Sequence, residues 1–325
     1  MIIVRSPLRI SLGGGGTDLP SYYKKENGFV LSAAINKYVY VTITRPFSKG
    51  IYLKYSEIEK VTDPKKIKHK IIREALLDQK LKFPQIEITT LTDIPTNTGL
   101  GSSGSFTTAL IKAINCHKKK IIDKQDLAKE ACRIEINKLR QPIGKQDQYI
   151  SAYGGINSFE FFSDEKVKIK SLELSNDTIS DLEDNLLLFF TGFSRSASEI
   201  LKDQDQKSKK YDKVMFNNLN YIKKLGLEIK KQLLNGNTYQ FGKLMNDHWS
   251  KKKNRSNNIT NKKINELYEI AIQNGAVGGK LVGAGGGGFL MFYAKDSEKL
   301  KKTMKNAKLE EVRFKFDFEG VKQIL

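Results

Sequence analysis

The 325-residue sequence predicts an α+β protein of two domains, and three observations predict it. In the first half, short alternating apolar segments come before helical ones. The second half mixes the two in a βααββαβ order. Between the halves Ser175–Asn185 is polar, which sets the boundary near residue 175, giving domains at 1–175 and 176–325. Apolar residues make up 39% of the chain, enough to fill two cores.

Taken in order, Ile2–Leu12, Val39–Thr44, Ile51–Tyr55 and Ile86–Leu91 alternate with period two and read as strands. Ser105–Cys116 and Gln125–Leu139 carry the helical period. Gly154-Gly155 opens the strand Ile156–Phe162, and Leu186–Phe190 is a continuous apolar strand. Long polar helices fill the chain from Ala197 to Asn274, followed by a glycine-rich hairpin, Gly275–Gly288. The strand Phe289–Tyr293, the helix Ser297–Asn306 and the strand Val312–Phe318 complete the order.

Composition narrows the function classes. The longest uncharged apolar stretch, Leu281–Tyr293, is glycine-filled, and a span needs about 20 apolar residues, so no membrane partner is expected. Arg5 and Arg9 interrupt the first apolar segment and leave no secretory core. With only Cys116 and Cys132, a reducing cytoplasm is the expected compartment. His69, His117 and His248 lie too far apart to suggest a zinc site or a His-based triad. The net charge of +20 includes short lysine runs such as Lys118–Lys120 and Lys251–Lys253. These read as a solvated surface whose field attracts anionic metabolites. Aromatic residues do not interleave with them, so nucleic acid is not an expected partner.

Of 25 glycines, fifteen fall in three clusters, each beside a strand: Gly13–Gly16, Gly99/Gly101/Gly104, and Gly275–Gly288. Such loops let backbone approach a ligand closely, and a shared anionic ligand is the reading they favour together. The middle cluster enters a helix directly, offering free N–H groups and a positive dipole end to phosphate. It lacks the Lys-Ser/Thr of a Walker loop. Gly283–Gly288 formally fits G-x-G-x-x-G but leads into a strand, which excludes the dinucleotide reading.

Pro95…Gly99-Leu100-Gly101-Ser102-Ser103 resembles the P-x-x-x-G-L-G-S-S phosphate loop of the GHMP kinases. Pro7–Leu12 with Thr17-Asp18 resembles their N-terminal motif, and Lys280–Gly288 resembles their C-terminal K-x-x-G-A-G-G-G-G loop. The resemblance implies the GHMP kinase fold, with a ribosomal-protein-like N-terminal domain and a ferredoxin-like C-terminal domain. ATP and Mg²⁺ are the implied cofactors. Asn97, Thr98, Gly99, Leu100, Gly101, Ser102, Ser103 and Gly104 would hold the nucleotide, with Ser103 and Glu135 on the metal. Asp147 would take the proton of the acceptor hydroxyl, with Arg9 beside it stabilising the transferring phosphoryl.

Galactokinase-type members read G-E-H-T-D where this chain carries Gly13–Gly16 before Thr17-Asp18, which frees space for a larger acceptor. Together with Pro142–Tyr149, this segment resembles the branch of the family that phosphorylates the C1 hydroxyl of D-glycero-D-manno-heptose 7-phosphate, for nucleotide-activated heptose. The implied substrate residues are Gly15, Gly16, Thr17, Asp18, Lys145, Arg195, Gly285 and Gly286, with Arg140 and Lys280 as further candidates for the sugar's phosphate. A fucokinase-like kinase of an unphosphorylated sugar and a non-catalytic sugar-binding regulator are the alternatives.

Overall fold

The computed structural model describes residues 1–79, 85–194, 197–256 and 258–325. Its architecture is α+β, with two mixed layers sharing a central core. The first sheet runs β12 (Lys322–Gln323), β1 (Ile2–Gly13), β2 (Gly28–Thr44), β5 (Gln85–Thr92), β3 (Gly50–Lys54) and β4 (Ile58–Val61). β6 (Ile156–Phe161) also pairs with β2, and β7 (Val167–Ser171) pairs with β6. β3 and β5 are parallel; the other pairs are antiparallel. The second sheet runs β11 (Glu310–Glu311), β8 (Leu186–Phe190), β10 (Phe289–Ala294) and β9 (Ala276–Leu281).

Side-chain alternation sorts the first sheet's residues between two cores. Val4, Val30 and Ala34 pack with Leu110 and Ile114 of α3 (Ser102–His117), together with α4 (Lys124–Cys132) and α5 (Gln146–Tyr153). Leu8, Ile10, Leu12, Leu31 and Ala33 face the other way, onto Ile222 and Ile229 of α8 (Lys213–Leu234), Phe241 and Met245 of α9 (Thr238–Lys252), and the second sheet's Leu188 and Met291. A third core, on the far face of the second sheet, takes Trp249 of α9, Ile264 of α10 (Lys262–Gln273) and Leu300 of α11 (Ser297–Asn306).

Several elements differ from expectation for identifiable reasons. β2 begins at Gly28, because its first eight residues are buried on both faces and carry no alternation to read. The polar stretch after residue 175 is a helix, α6 (Asn176–Asn185), capped by the Ser175 hydroxyl on the Thr178 N–H. The expected strand 312–318 is a strap. After β11 the chain crosses to the first sheet, where Phe316 bridges Ile35 and β12 pairs with β1. The short remaining helices are α1 (Pro20–Tyr23), α2 (Lys70–Asp78) and α7 (Ala197–Lys209). Among the described residues no helix is long and apolar enough to cross a membrane.

Candidate active site

The three glycine clusters meet. A Cβ on Gly283 would lie 2.6 Å from the Gly99 Cα, and one on Gly288 would overlap the Thr98 carbonyl oxygen, so glycine at both positions lets the two loops interlock. The Gly99–Gly101 loop delivers the chain into α3 through Gly101, at φ 78°, and no side chain caps that helix. Its first N–H groups and positive dipole end are left for an anion. Beside this loop is a cavity of about 280 Å³ that reaches across to Gly15 and Gly16.

Arg9 spans the cavity wall. Its Nε donates to Asp147 Oδ1 at 2.7 Å, and its Nη1 donates to the Gly99 carbonyl at 2.5 Å. Asp147 sits in the first turn of α5. Asp18 Oδ2 accepts the Gln146 N–H at 3.1 Å, and Oδ1 accepts the Gly16 N–H at 3.2 Å. Burial raises the pKa of Asp18, the charge of Asp147 adds to it, and the two backbone N–H groups oppose it. Glu135 is fully buried in a π-helical turn, Arg133–Lys138, that follows α4. It accepts the Ser103 hydroxyl at 2.5 Å and the Gln148 amide at 2.9 Å. Burial raises its pKa, and those hydrogen bonds oppose the shift.

The opposite wall is basic. Lys280 Nζ donates to the Leu12 carbonyl at 3.0 Å, and burial with Arg9 and Arg255 nearby draws its pKa down to about 7. Lys252 Nζ donates to the carbonyls of Leu281 at 2.8 Å and Gly283 at 2.5 Å. The Arg255 guanidinium reaches Asn218 Oδ1, Gln204 Oε1 and the Gly15 carbonyl. His248 is 2% exposed, lines the cavity and has no hydrogen-bond partner on either nitrogen.

The cavity collects Arg9, Gly15, Gly16, Asp18, Asn97, Gly99, Gly101, Ser102, Ser103, Gly104, Glu135, Asp147, Lys280 and Gly285 from the expected set. Leu100 and Thr98 are buried behind the loop. Thr17 is a clip: its hydroxyl lies 2.7 Å from the Phe29 carbonyl and accepts the Phe29 N–H. Gly286 donates to the Ile259 carbonyl and does not line the cavity. Lys145 does not line the cavity: its ammonium is held by an ion pair with Glu165 and lies over the Tyr23 ring. Arg140 is exposed and also off the cavity. Arg195 lies outside the described residues.

The expectation missed His248, Lys252 and Arg255, having read Lys251–Lys253 as surface. A signal was present. Phe241, Leu244, Met245, His248 and Lys252 form one helical stripe, so the two polar residues continue its buried face.

Comparison with known proteins gives a consistent result. The GHMP kinases N terminal domain matches residues 66–155, and the GHMP kinases C terminal domain matches residues 229–309. The chain is 31% identical to the D-glycero-alpha-D-manno-heptose 7-phosphate kinase of Campylobacter jejuni, over 99% of this chain and 98% of that protein. It is 26% identical to the bifunctional fucokinase/GDP-fucose pyrophosphorylase of Arabidopsis thaliana, over 92% of this chain but 30% of that protein. In fold it resembles a D-glycero-D-manno-heptose 1-phosphate kinase from Bacteriodes thetaiotaomicron, with TM-score 0.83, 24% identity, and coverage of 100% and 99% of the two chains.

Proposed function

This chain belongs to the GHMP kinase family, and from that premise we propose that it transfers a phosphoryl group from ATP to the C1 hydroxyl of D-glycero-D-manno-heptose 7-phosphate. It is a sugar kinase; the donor, the acceptor and the residue roles are the proposal. The observation that carries it is the Arg9–Asp147 pair, 2.7 Å apart, between the open N-terminus of α3 and the Asp18 carboxylate.

In this reading the loop 97–104 cradles the nucleotide's phosphates on its free N–H groups. Asp18 orients the acceptor's hydroxyls. The C1 oxygen attacks the terminal phosphorus of ATP, the bond to ADP breaks, and the hydroxyl proton passes to Asp147. Arg9 holds Asp147 in place and faces the charge that develops on the transferring group. Ser103 and Glu135 offer two hard oxygen donors beside the loop, a set that fits Mg²⁺, which keeps most of its waters and takes few protein ligands. Such an ion would neutralise phosphate charge.

The test is an ADP-release assay over heptose 7-phosphate, unphosphorylated heptose and L-fucose, with phosphorus NMR of the product. Turnover of the 7-phosphate with a new signal on the anomeric carbon is expected. Equal efficiency on L-fucose would move the reading to the fucokinase-like alternative, which the likeness to the plant protein supports.

A further inference from the structure

Lys252, Arg255 and Lys280 are each at most 7% exposed, and among the described residues none has a carboxylate within 4.0 Å. Burial without a counter-charge draws the pKa of Lys252 and Lys280 down, so an anion seated against this wall would be bound more tightly by restoring their charge. Their hydrogen bonds do not fill their capacity. Lys252 spends two of three ammonium donors on backbone carbonyls, Lys280 spends one, and Arg255 spends three of five. His248 beside them is buried and spends neither nitrogen.

Arg255 and Lys280 stand on the acceptor side of the cavity, while Lys252 holds the Gly283 carbonyl where the third glycine loop meets the Gly99 loop. Arg255 is fixed to the carbonyl of Gly15, and Lys280 to that of Leu12 at the start of the same loop, the one that carries Asp18. A Cβ on Gly16 would come 2.5 Å from the Arg255 guanidinium, so the glycine there is what lets the cation lie under the acceptor loop. The anchoring by Gln204 and Asn218 holds the guanidinium rigid.

We propose that His248, Lys252, Arg255 and Lys280 form a subsite for a phosphate monoester already on the acceptor, distinct from the group being transferred. The proposal rests on the kinase reading above only in taking the acceptor to be a sugar phosphate. A monoester carrying about 1.5–2 negative charges would hold these three basic groups protonated and matches them better than a single carboxylate would. The imidazole, which burial and the three cations keep neutral, adds one uncharged N–H donor.

Two measurements test it. The first is the ratio of kcat/KM for the phosphorylated acceptor to that for the same sugar without phosphate, in wild type and in Lys252→Met. Losing charge-assisted hydrogen bonds should lower that ratio by about 10–150-fold. A merely structural role for Lys252 would lower both values together and leave the ratio unchanged, which overturns the proposal. Should Lys252→Met not fold, Arg255→Gln, which keeps an amide donor and loses the charge, carries the same test.

The second measurement uses inorganic phosphate as probe, with the nucleotide site filled by a non-hydrolysable ATP analogue. Phosphate should raise the Tm of wild type and not that of either variant; equal shifts in all three would overturn the subsite. If wild type rejects heptose 7-phosphate, the proposed substrate falls, yet variant-sensitive phosphate binding still supports the subsite. If wild type accepts it and the variants keep the ratio, the subsite falls and the kinase reading stands.

Discussion

Arg9 ties the glycine loop before α3 to the first turn of α5, because one guanidinium holds both the Gly99 carbonyl and the Asp147 carboxylate. Asp147→Asn keeps a hydrogen-bonding side chain of the same shape but loses the proton acceptor. It should fold, bind nucleotide as wild type does, and lose about 10²–10⁴ in kcat; wild-type turnover would remove Asp147 from the chemistry. Ser103→Ala and Glu135→Gln each remove one of the two oxygens proposed for Mg²⁺, so each should raise the Mg²⁺ concentration for half-maximal rate. Ser102→Ala should change it less, and superimposable curves for Ser103→Ala and wild type would refute the assignment. Lys280 has a pH signature in the unliganded protein. Below pH 7 both folded and unfolded chains hold its proton, and the fold bears the full cost of the buried charge. Between about 7 and the ordinary 10.5 only the unfolded chain holds it, so stability rises with pH, by up to about 1.4 kcal/mol per unit. Urea melts in phosphate-free buffer from pH 7 to 9 should show that rise diminished in Lys280→Met; parallel profiles would contradict it.

Elements were legible where their own periodicity set them and were misread where a neighbour did. The segment Gln125–Leu139 reads as one helix, yet it widens into a π turn at Arg133, and that widening is where Glu135 meets Ser103. The first eight residues of β2, Gly28 to Ile35, are buried on both faces and so lose the alternation that marks a strand. α8 supplies an element-scale prediction. Gly226 lies inside that helix, where alanine would ordinarily gain up to about 1 kcal/mol. Its Cβ would come 2.8 Å from the Gly14 N and 3.0 Å from the Gly14 Cα, both backbone atoms that cannot swing away. Overpacking of this kind costs about 1–3 kcal/mol and should win. Gly226→Ala should therefore lower the urea midpoint and, by displacing the Gly13–Gly16 loop, raise KM for the acceptor sugar. A more stable variant would show that the loop gives way freely.

At the scale of the molecule, the last residues strap the second sheet to the first. Asp317 is the knot. Its carboxylate accepts the Tyr38 hydroxyl at 2.8 Å and the Gly320 N–H at 2.7 Å, while its backbone bonds Ala34 and Gly155. Asp317→Ala leaves those donors without partners and should cost about 1–3 kcal/mol in urea unfolding, with kcat of the folded fraction unchanged; loss of kcat at full folding would tie the strap to the site. The α+β class, the glycine loop entering α3, and Asp18, Glu135 and Asp147 as the carboxylates that line the cavity were legible in the sequence alone. A glycine loop, the helix it opens and a carboxylate at the next helix start are properties of contiguous residues. Which cations serve the cavity was decided only by the tertiary structure. Lys145 is captured by Glu165 in the turn between β6 and β7, while Lys252 is buried because its helical stripe packs toward β9. Whether a lysine meets water, a carboxylate or a cavity depends on residues distant in the chain, and its neighbours in sequence carry no record of them.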